Sequence, residues 1–350
     1  MDSEERLQLL LRNVQECVTE DEARALLERS GPKRAYVGIE PSGLFHVGGA
    51  IVANKAKDLT ALGFDFVVLL ADWHAFINDK YGGDIEAIKT SGAFLKDAFL
   101  ALGCDEDKVK FVAASEYIND GTYWEKVLRI SKSSSVARIK RAMTIMGRKE
   151  DEADADASKL IYPAMQAADI FHLKLDLALG GMDQRHAHML ARDAAEKLGW
   201  KKFVAIHTPL LMSLQGSGRM DAAESKMSKS KPETCIFIHD SPEDIAKKMN
   251  AAFCPAKIAE GNPVLEHCKF VVFPNAGKLE VKRPEKFGGD VTFASYRELE
   301  SAYVDGKLHP SDLKSATAKQ VADILAPARE YLARHKGNLE KVIEMAGVKR

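Results

Sequence analysis

The stretch AYVGIEPSGLFHVGG, Ala35 to Gly49, joins two kinds of sequence. Ala35 to Glu40 (AYVGIE) is a short, apolar, partly β-branched run, suited to a strand buried on both faces. Pro41 to Gly49 is small and glycine-rich, and Ala50 to Leu62 beyond it has helical spacing. Strand, glycine turn and helix form the opening unit of a wound sheet. Further along, Phe66 to Asp72 (FVVLLAD) suits a second buried strand, Ile85 to Leu102 a second helix and Lys110 to Ala114 a third strand. That alternation predicts an α/β fold around a doubly wound parallel sheet.

Upstream, Arg6 to Glu16 and Thr19 to Arg29 read as short helices. Thr19 and Glu22 give the second a capping-box pattern, and Gly31-Pro32 closes it. From Tyr123 to Arg148 the chain is helical and basic, and the acidic linker Glu150 to Asp156 follows. Alternation then resumes: Leu160 to Leu173 helical, Asp176 to Leu179 a strand, Asp183 to Leu198 a helix, Phe203 to His207 a strand. Beyond Lys231 the character changes. Ser241-Pro242 is a strong helix start, and helices dominate to the end except from Lys278 to Asp290. The expected organisation is N-terminal helices over 1–33 and a Rossmann-type domain over 34–232, with a helical insertion at about 116–157 and a mobile loop at about 213–232. A mostly α-helical C-terminal domain over 233–350 completes it.

The 350 residues are 46% hydrophobic and 29% charged, enough for sizeable cores. Met1 to Asn13 mixes acids among its leucines and does not resemble a signal peptide, and no run spans a bilayer. The five cysteines are scattered, without the close pairs zinc needs, and read as reduced cytosolic thiols. A net charge of −1 means that any nucleic acid is held by local patches. We therefore expect a cytoplasmic protein with no membrane segment and no protein-bound metal.

Two stretches carry nucleotide chemistry. In EPSGLFHVGG, Pro41, Ser42 and Gly43 lead into His46, Gly48 and Gly49, where a strand hands over to a helix N-terminus. Such a corner accepts phosphate, and a histidine there can donate to a phosphate oxygen as charge builds. The same residues fit a glycine-rich turn with an incidental histidine equally well. The second stretch, Lys226-Met227-Ser228-Lys229-Ser230, lies in a Gly- and Ser-rich loop whose two lysines can close over a triphosphate. In Leu160 to Leu173 (LIYPAMQAADIFHL), Tyr162, Gln166 and Asp169 are spaced to share one helix face. Taken alone, that face is more readily solvent-exposed than pocket-lining.

Together these motifs resemble the tyrosyl-tRNA synthetase family, archaeal and eukaryotic branch, of the class I aminoacyl-tRNA synthetases. His46-Val47-Gly48 matches a HIGH-type signature, and Lys226 to Ser230 matches KMSKS. Gly49 departs from the first, standing where that signature has its second histidine. The similarity runs from about Tyr36 to Pro327 in the right order.

The resemblance implies that ATP, with Mg²⁺ as its complex, lies against Pro41, Ser42, Gly43, His46, Gly48, Gly49, Asp183 and the Lys226–Ser230 loop. His46, Lys226 and Lys229 then stabilise the reacting phosphate. It implies tyrosine bound by Tyr162 and Gln166 at the ammonium and by Tyr36 and Asp169 at the phenol, with Gln184 facing the amino acid and His74 lining the cavity. Transfer RNA of the tyrosine type is expected at Arg138, Lys140 and Arg141 of the basic insertion, where a solvated or dimer face is an equally open reading. Phe287, His309 and Asp312 are expected at the anticodon, and a homodimer through the insertion. A site that hydrogen-bonds a phenol rejects phenylalanine without editing, for which the family that this sequence resembles is itself the standard example; no segment here is long enough for an editing domain. The tryptophanyl sister enzyme, a silent RNA-binding relative and a nucleotidyltransferase making another adenylate are the rival readings. No role is read for the residues from about Tyr331 onward.

Overall fold

The computed structural model describes residues 1–147, 156–216 and 232–347. The chain opens with α1 (Ser3–Leu11), β1 (Glu16–Val18) and α2 (Glu20–Glu28), then runs β2 (Lys33–Ile39), α3 (Gly48–Ala61) and β3 (Phe64–Leu70). It continues through α4 (Asp72–Ile77), α5 (Ile85–Ala101), β4 (Val109–Ala113), α6 (Gly121–Ser133) and α7 (Val136–Ala142). After the gap in description come α8 (Ala157–His172), β5 (Leu177–Gly181), α9 (Arg185–Leu198) and β6 (Val204–Thr208). The sheet order is β1-β6-β5-β2-β3-β4. Neighbours from β6 to β4 are parallel, with Ala35 of β2 opposite Phe66 on one side and Leu177 on the other.

The chain winds outward from β2 through β3 to β4, then returns to place β5 on the other flank of β2. That reversal opens a crevice at the carboxyl ends of β2 and β5, where wound sheets bind ligands. The apolar run Ala35 to Val37 sits at the centre because it is covered on both faces. Strand ends differ slightly from expectation. Asp72, read as the end of a strand, instead opens α4, its Oδ1 accepting from the N–H groups of Trp73 and Ser115.

The larger difference is β1. Glu16 falls in a predicted helix, yet Glu16 to Val18 pairs antiparallel with Ala205 to His207 and covers the sheet edge. Three residues carry no visible alternation, so only their tertiary partner defines them. Thr19 caps α2 as read, its hydroxyl accepting from the Glu22 N–H. The acidic linker lies outside the described residues except for Asp156, which caps α8 through the Ser158 N–H.

The C-terminal part holds α10 (Pro242–Ala251), α11 (Pro263–His267), α12 (Phe273–Ala276), the hairpin β7 (Leu279–Val281) and β8 (Val291–Phe293), then α13 (Tyr296–Val304), α14 (Pro310–Arg334) and α15 (Lys336–Met345). Ser241 caps α10 by accepting from the Asp244 N–H, with Pro242 at the first helical position. The hairpin accounts for the break from Lys278 to Asp290. The final segment, unassigned from sequence, docks on α5: Leu332, Leu339 and Val342 are buried, and Asn338 donates to Asp97 at 2.8 Å. One apolar cluster runs from Leu7 through β2 and β6 to Val342. Among the described residues, no helix is long and apolar enough to cross a membrane.

Candidate active site

A cavity of about 460 Å³ opens at the carboxyl ends of β2 and β5. Its lining includes Tyr36 and Gly38 from β2, Glu40 and Ser42 just beyond it, and His74 from α4. Tyr162, Gln166 and Asp169 come from α8, and Asp183 and Gln184 from the turn after β5. The helical face read from the sequence is therefore turned into the cavity rather than to solvent. Seven residues separate Tyr162 from Asp169, so their side chains leave α8 about 10 Å apart along its axis. Two polar clusters result, one near each position.

The first cluster surrounds Asp169. Its Oδ1 accepts from the Tyr117 hydroxyl at 2.8 Å, and its Oδ2 lies 3.1 Å from His74 Nε2. Burial alone pulls the His74 pKa down, but the Asp169 carboxylate, together with Glu40 and Asp72, holds the imidazole above its usual value. Tyr36 is fully buried from bulk water and lines the cavity. Burial first, and then the Asp169 charge, raise the Tyr36 pKa well above that of a free phenol. It stays a neutral donor.

The second cluster centres on Glu40, whose carboxylate accepts from the Tyr162 hydroxyl at 2.6 Å and from the Asn78 amide at 3.0 and 3.1 Å. The Lys80 ammonium lies 3.4 Å from it. Gln166 Nε2 donates to Gln184 Oε1 at 3.0 Å, and Gln184 Nε2 donates to the Ile145 carbonyl at 3.2 Å. Gln166 Oε1 is buried without a partner. Unpaired buried acceptors are costly, so one facing a cavity marks the place of a missing donor. A carboxylate, a phenol and two amides at this end are suited to an ammonium group.

A second cavity of about 250 Å³ shares Ile39, Val52, Gly181 and Asp183 with the first and is walled by Phe45, His46, Gly48, Gly49 and Leu211. Here Phe45 and Val47 are tied to the chain entering the C-terminal part: Val47 N–H donates to the Ile236 carbonyl, and Ile238 N–H to that of Phe45. The Gly48 N–H points at His46 Nδ1 at 3.1 Å. Nδ1 is thus the acceptor, and Nε2 is the ring nitrogen that can donate. Pro41 and Gly43 shape the turn without lining either cavity. Pro41 packs toward Gly92, and the Gly43 N–H donates to Ser91 Oγ at 3.0 Å.

Gly49 has a steric explanation. A Cβ there would stand 2.0 Å from Phe45 Cε1, and Phe45 is a buried core residue packed on Phe99. The aromatic ring occupies the space that a second histidine would need. Lys226, Met227, Ser228, Lys229 and Ser230 lie outside the described residues.

The residues read as RNA contacts fall in two groups. On α7, Lys140 and Arg141 are exposed, whereas Arg138 is held by Asp193 of α9 through Nε and Nη2 at 3.1 and 2.8 Å. In the C-terminal part, Arg283 joins the hairpin to the turn before α14, donating to the carbonyls of Gly289 and Lys307. This brings the Phe287 and His309 segments to one face. Phe287 is 60% exposed. His309, not Ser311 or Asp312, caps α14, its Nδ1 accepting from the Ser311 N–H, and Asp312 sits in the first turn.

Glu40, Asn78, Lys80 and Tyr117 were missed in the sequence. Glu40 carried a usable signal, as a charged residue closing an apolar strand at a switch point. Tyr117 carried none, because 52 residues separate it from Asp169.

The family model for class I tRNA synthetases (W and Y) matches residues 28–326. The tyrosine–tRNA ligase of Saccharolobus islandicus (strain M.14.25 / Kamchatka #1) is 50% identical over 354 aligned positions, which cover 98% of each chain. That of Aeropyrum pernix is 51% identical over 339 positions, covering 94% of this chain and 93% of its own. The crystal structure of the A. pernix tyrosyl-tRNA synthetase superposes with a TM-score of 0.89 at 46% identity, covering 99% of this chain and all of that one. The Pyrococcus horikoshii tyrosyl-tRNA synthetase, solved with L-tyrosine, gives a TM-score of 0.91 at 41% identity over 98% of this chain and 100% of its own.

Proposed function

The chain belongs to the class I tRNA synthetases of the tryptophan and tyrosine group, and from that premise we propose the division of labour by which it activates tyrosine with ATP and transfers it to tRNA. The observation that carries this reading is the cavity polar at both ends of α8. Its Asp169 end meets a phenol. Oδ2 accepts from the substrate hydroxyl, and Tyr36 donates to the phenol oxygen. Its Glu40 end takes the ammonium, with Tyr162, Gln166 and Gln184 around it. The substrate carboxylate then points toward the second cavity, where His46, Gly48, Gly49 and Asp183 meet ATP, which enters as its Mg²⁺ complex.

Attack of the carboxylate oxygen on the α-phosphorus forms tyrosyl-adenylate and releases pyrophosphate. The residues do no covalent chemistry; they align the reactants and stabilise charge. His46 presents its Nε2 proton to a phosphate oxygen as negative charge grows, and Lys226 and Lys229 neutralise the leaving pyrophosphate. A ribose hydroxyl at the tRNA end then takes the acyl group. Lys140 and Arg141 hold acceptor-stem phosphates, contacts that position the RNA without reading its sequence. Phe287 stacks on an anticodon base, and His309 and Asp312 meet that base's edge. Arg138, committed to Asp193, is a brace for α7 in this scheme.

Two copies assemble through the insertion, where Leu128 of α6 and Val136 of α7 are 67% and 66% exposed. The protein works in the cytoplasm. Pyrophosphate exchange tests the site directly: tyrosine supports it, whereas tryptophan and phenylalanine do not. Exchange with tryptophan, or none with tyrosine, overturns the reading.

A further inference from the structure

We propose that Tyr117 is a positioning residue for amino-acid selection, acting through Asp169 without touching the substrate. Tyr117 follows β4 and does not line the cavity. Its ring is wedged between Tyr123 and His172, with centroids 5.0 and 4.9 Å away, and its hydroxyl donates to Asp169 Oδ1 at 2.8 Å. Burial, followed by the Asp169 charge, pushes the Tyr117 pKa far up, so the hydroxyl keeps its proton and remains a donor.

Asp169 has two oxygens, and Tyr117, Tyr123 and His74 crowd them. Oδ1 is taken by Tyr117, and Oδ2 lies near His74, on the side of the cavity that Tyr36 shares. A carboxylate on a helix can turn about its own side-chain bonds. Without the Tyr117 hydroxyl, Oδ1 would lose its 2.8 Å donor, and the carboxylate gains by turning toward another, the nearby Tyr123 hydroxyl included. Oδ2 then no longer faces the substrate phenol. Tyr117 therefore fixes which oxygen reads the substrate.

The consequence is selective. Tyrosine binding depends on the direction of Oδ2, whereas phenylalanine has no hydroxyl to offer and binds equally well to either orientation. General damage to the fold would weaken both. The ratio of the two is the readout that a purely structural role does not move.

The inference rests on reading Asp169 as the phenol acceptor. The experiment uses the full-length chain and Tyr117→Phe, which keeps the ring and removes only the hydroxyl, in tyrosine- and phenylalanine-dependent pyrophosphate exchange. Losing a hydrogen bond to an ionised carboxylate corresponds to roughly 10–100-fold in affinity. We expect KM for tyrosine to rise by about that factor, with kcat nearly unchanged and kcat/KM for phenylalanine unmoved. In an Asp169→Asn background the same substitution should change the ratio less than about 3-fold, because coupled residues are not additive. Equal losses for both amino acids, an unchanged ratio, or additivity in the double variant overturns the role of Tyr117. Absence of tyrosine-dependent exchange in the unsubstituted protein would instead overturn the proposed function, so the two failures are separable.

Discussion

Two regions of this protein bury charge, and they treat it differently. At the joint of α1 and α3, Lys55 is 1% exposed, and its ammonium donates to the carbonyls of Leu9 and Leu10 and to Asp58 Oδ2, at 3.1, 2.9 and 3.0 Å. Arg12 holds the other side of Asp58. Each ammonium proton has a partner, and the two carbonyls it closes belong to the last turn of α1, where backbone acceptors go unpaired. In the cavity, by contrast, Gln166 Oε1 and both His74 ring nitrogens lack aligned hydrogen bonds. The first region is complete as it stands; the second is complete only with a ligand. Saturation separates a structural charge cluster from a binding one more sharply than burial does.

That contrast is broken if substitutions in the two regions have the same consequence. Lys55→Met strands the end carbonyls of α1 and part of Asp58 in a buried place, so it should cost about 3 kcal/mol of stability. Activity per folded molecule should survive, as chemical denaturation paired with exchange kinetics would show. Glu40→Gln should do the reverse. It weakens the ammonium end by about 2 kcal/mol in kcat/KM for tyrosine and leaves the denaturation midpoint nearly where it was. A large stability loss from Glu40→Gln, or lost catalysis from Lys55→Met, would merge the two regions.

A smaller effect sharpens the account of the nucleotide corner. Gly49→Ala places a methyl group where Phe45 already stands, and overpacking of this kind costs about 1–3 kcal/mol. Combining it with Phe45→Leu, which vacates that space, should recover part of the loss in melting temperature and in KM for ATP. If Gly49→Ala is silent alone, the ring moves freely and the missing second histidine has no steric cause.

The sequence made much of this visible, unevenly. β2, β3 and β4 were legible because apolar runs alternate with helical spacing, and the Tyr162, Gln166 and Asp169 face because a helix has a fixed period. Whether that face looked inward was not legible, since the same spacing serves a solvated surface; only packing among α4, α6 and α9 decides it. β1 escaped because its three residues take their structure from His207, Ile206 and Ala205. Tyr117 and Asn78 escaped because their meaning lies in partners far along the chain, Asp169 and Glu40. Gly49 looked like a defect in a motif until the position of Phe45 supplied a reason for it.

The subtlest test concerns the sign of a pH effect at the saturated joint. Burial lowers the Lys55 pKa to about 8, against the opposing pull of Asp58. In the unfolded chain the same amine titrates near its ordinary value of about 10.4. Between these two values the unfolded chain binds more protons than the folded one, so this group adds stability as pH rises, by at most about 1.4 kcal/mol per unit. An ordinary surface ion pair, whose lysine is raised on folding, behaves oppositely and weakens as pH climbs. Buried Tyr36 and Tyr162, whose pKa values are raised, oppose the trend only where free phenols ionise, near pH 10 and above. Comparing the unsubstituted protein with Lys55→Met at each pH cancels that contribution. The stability gap between them should widen by about 1.6 kcal/mol from pH 8 to 9.5. A gap that narrows instead would mean that attraction to Asp58 outweighs desolvation, and the joint would be held by charge in the manner of a surface ion pair.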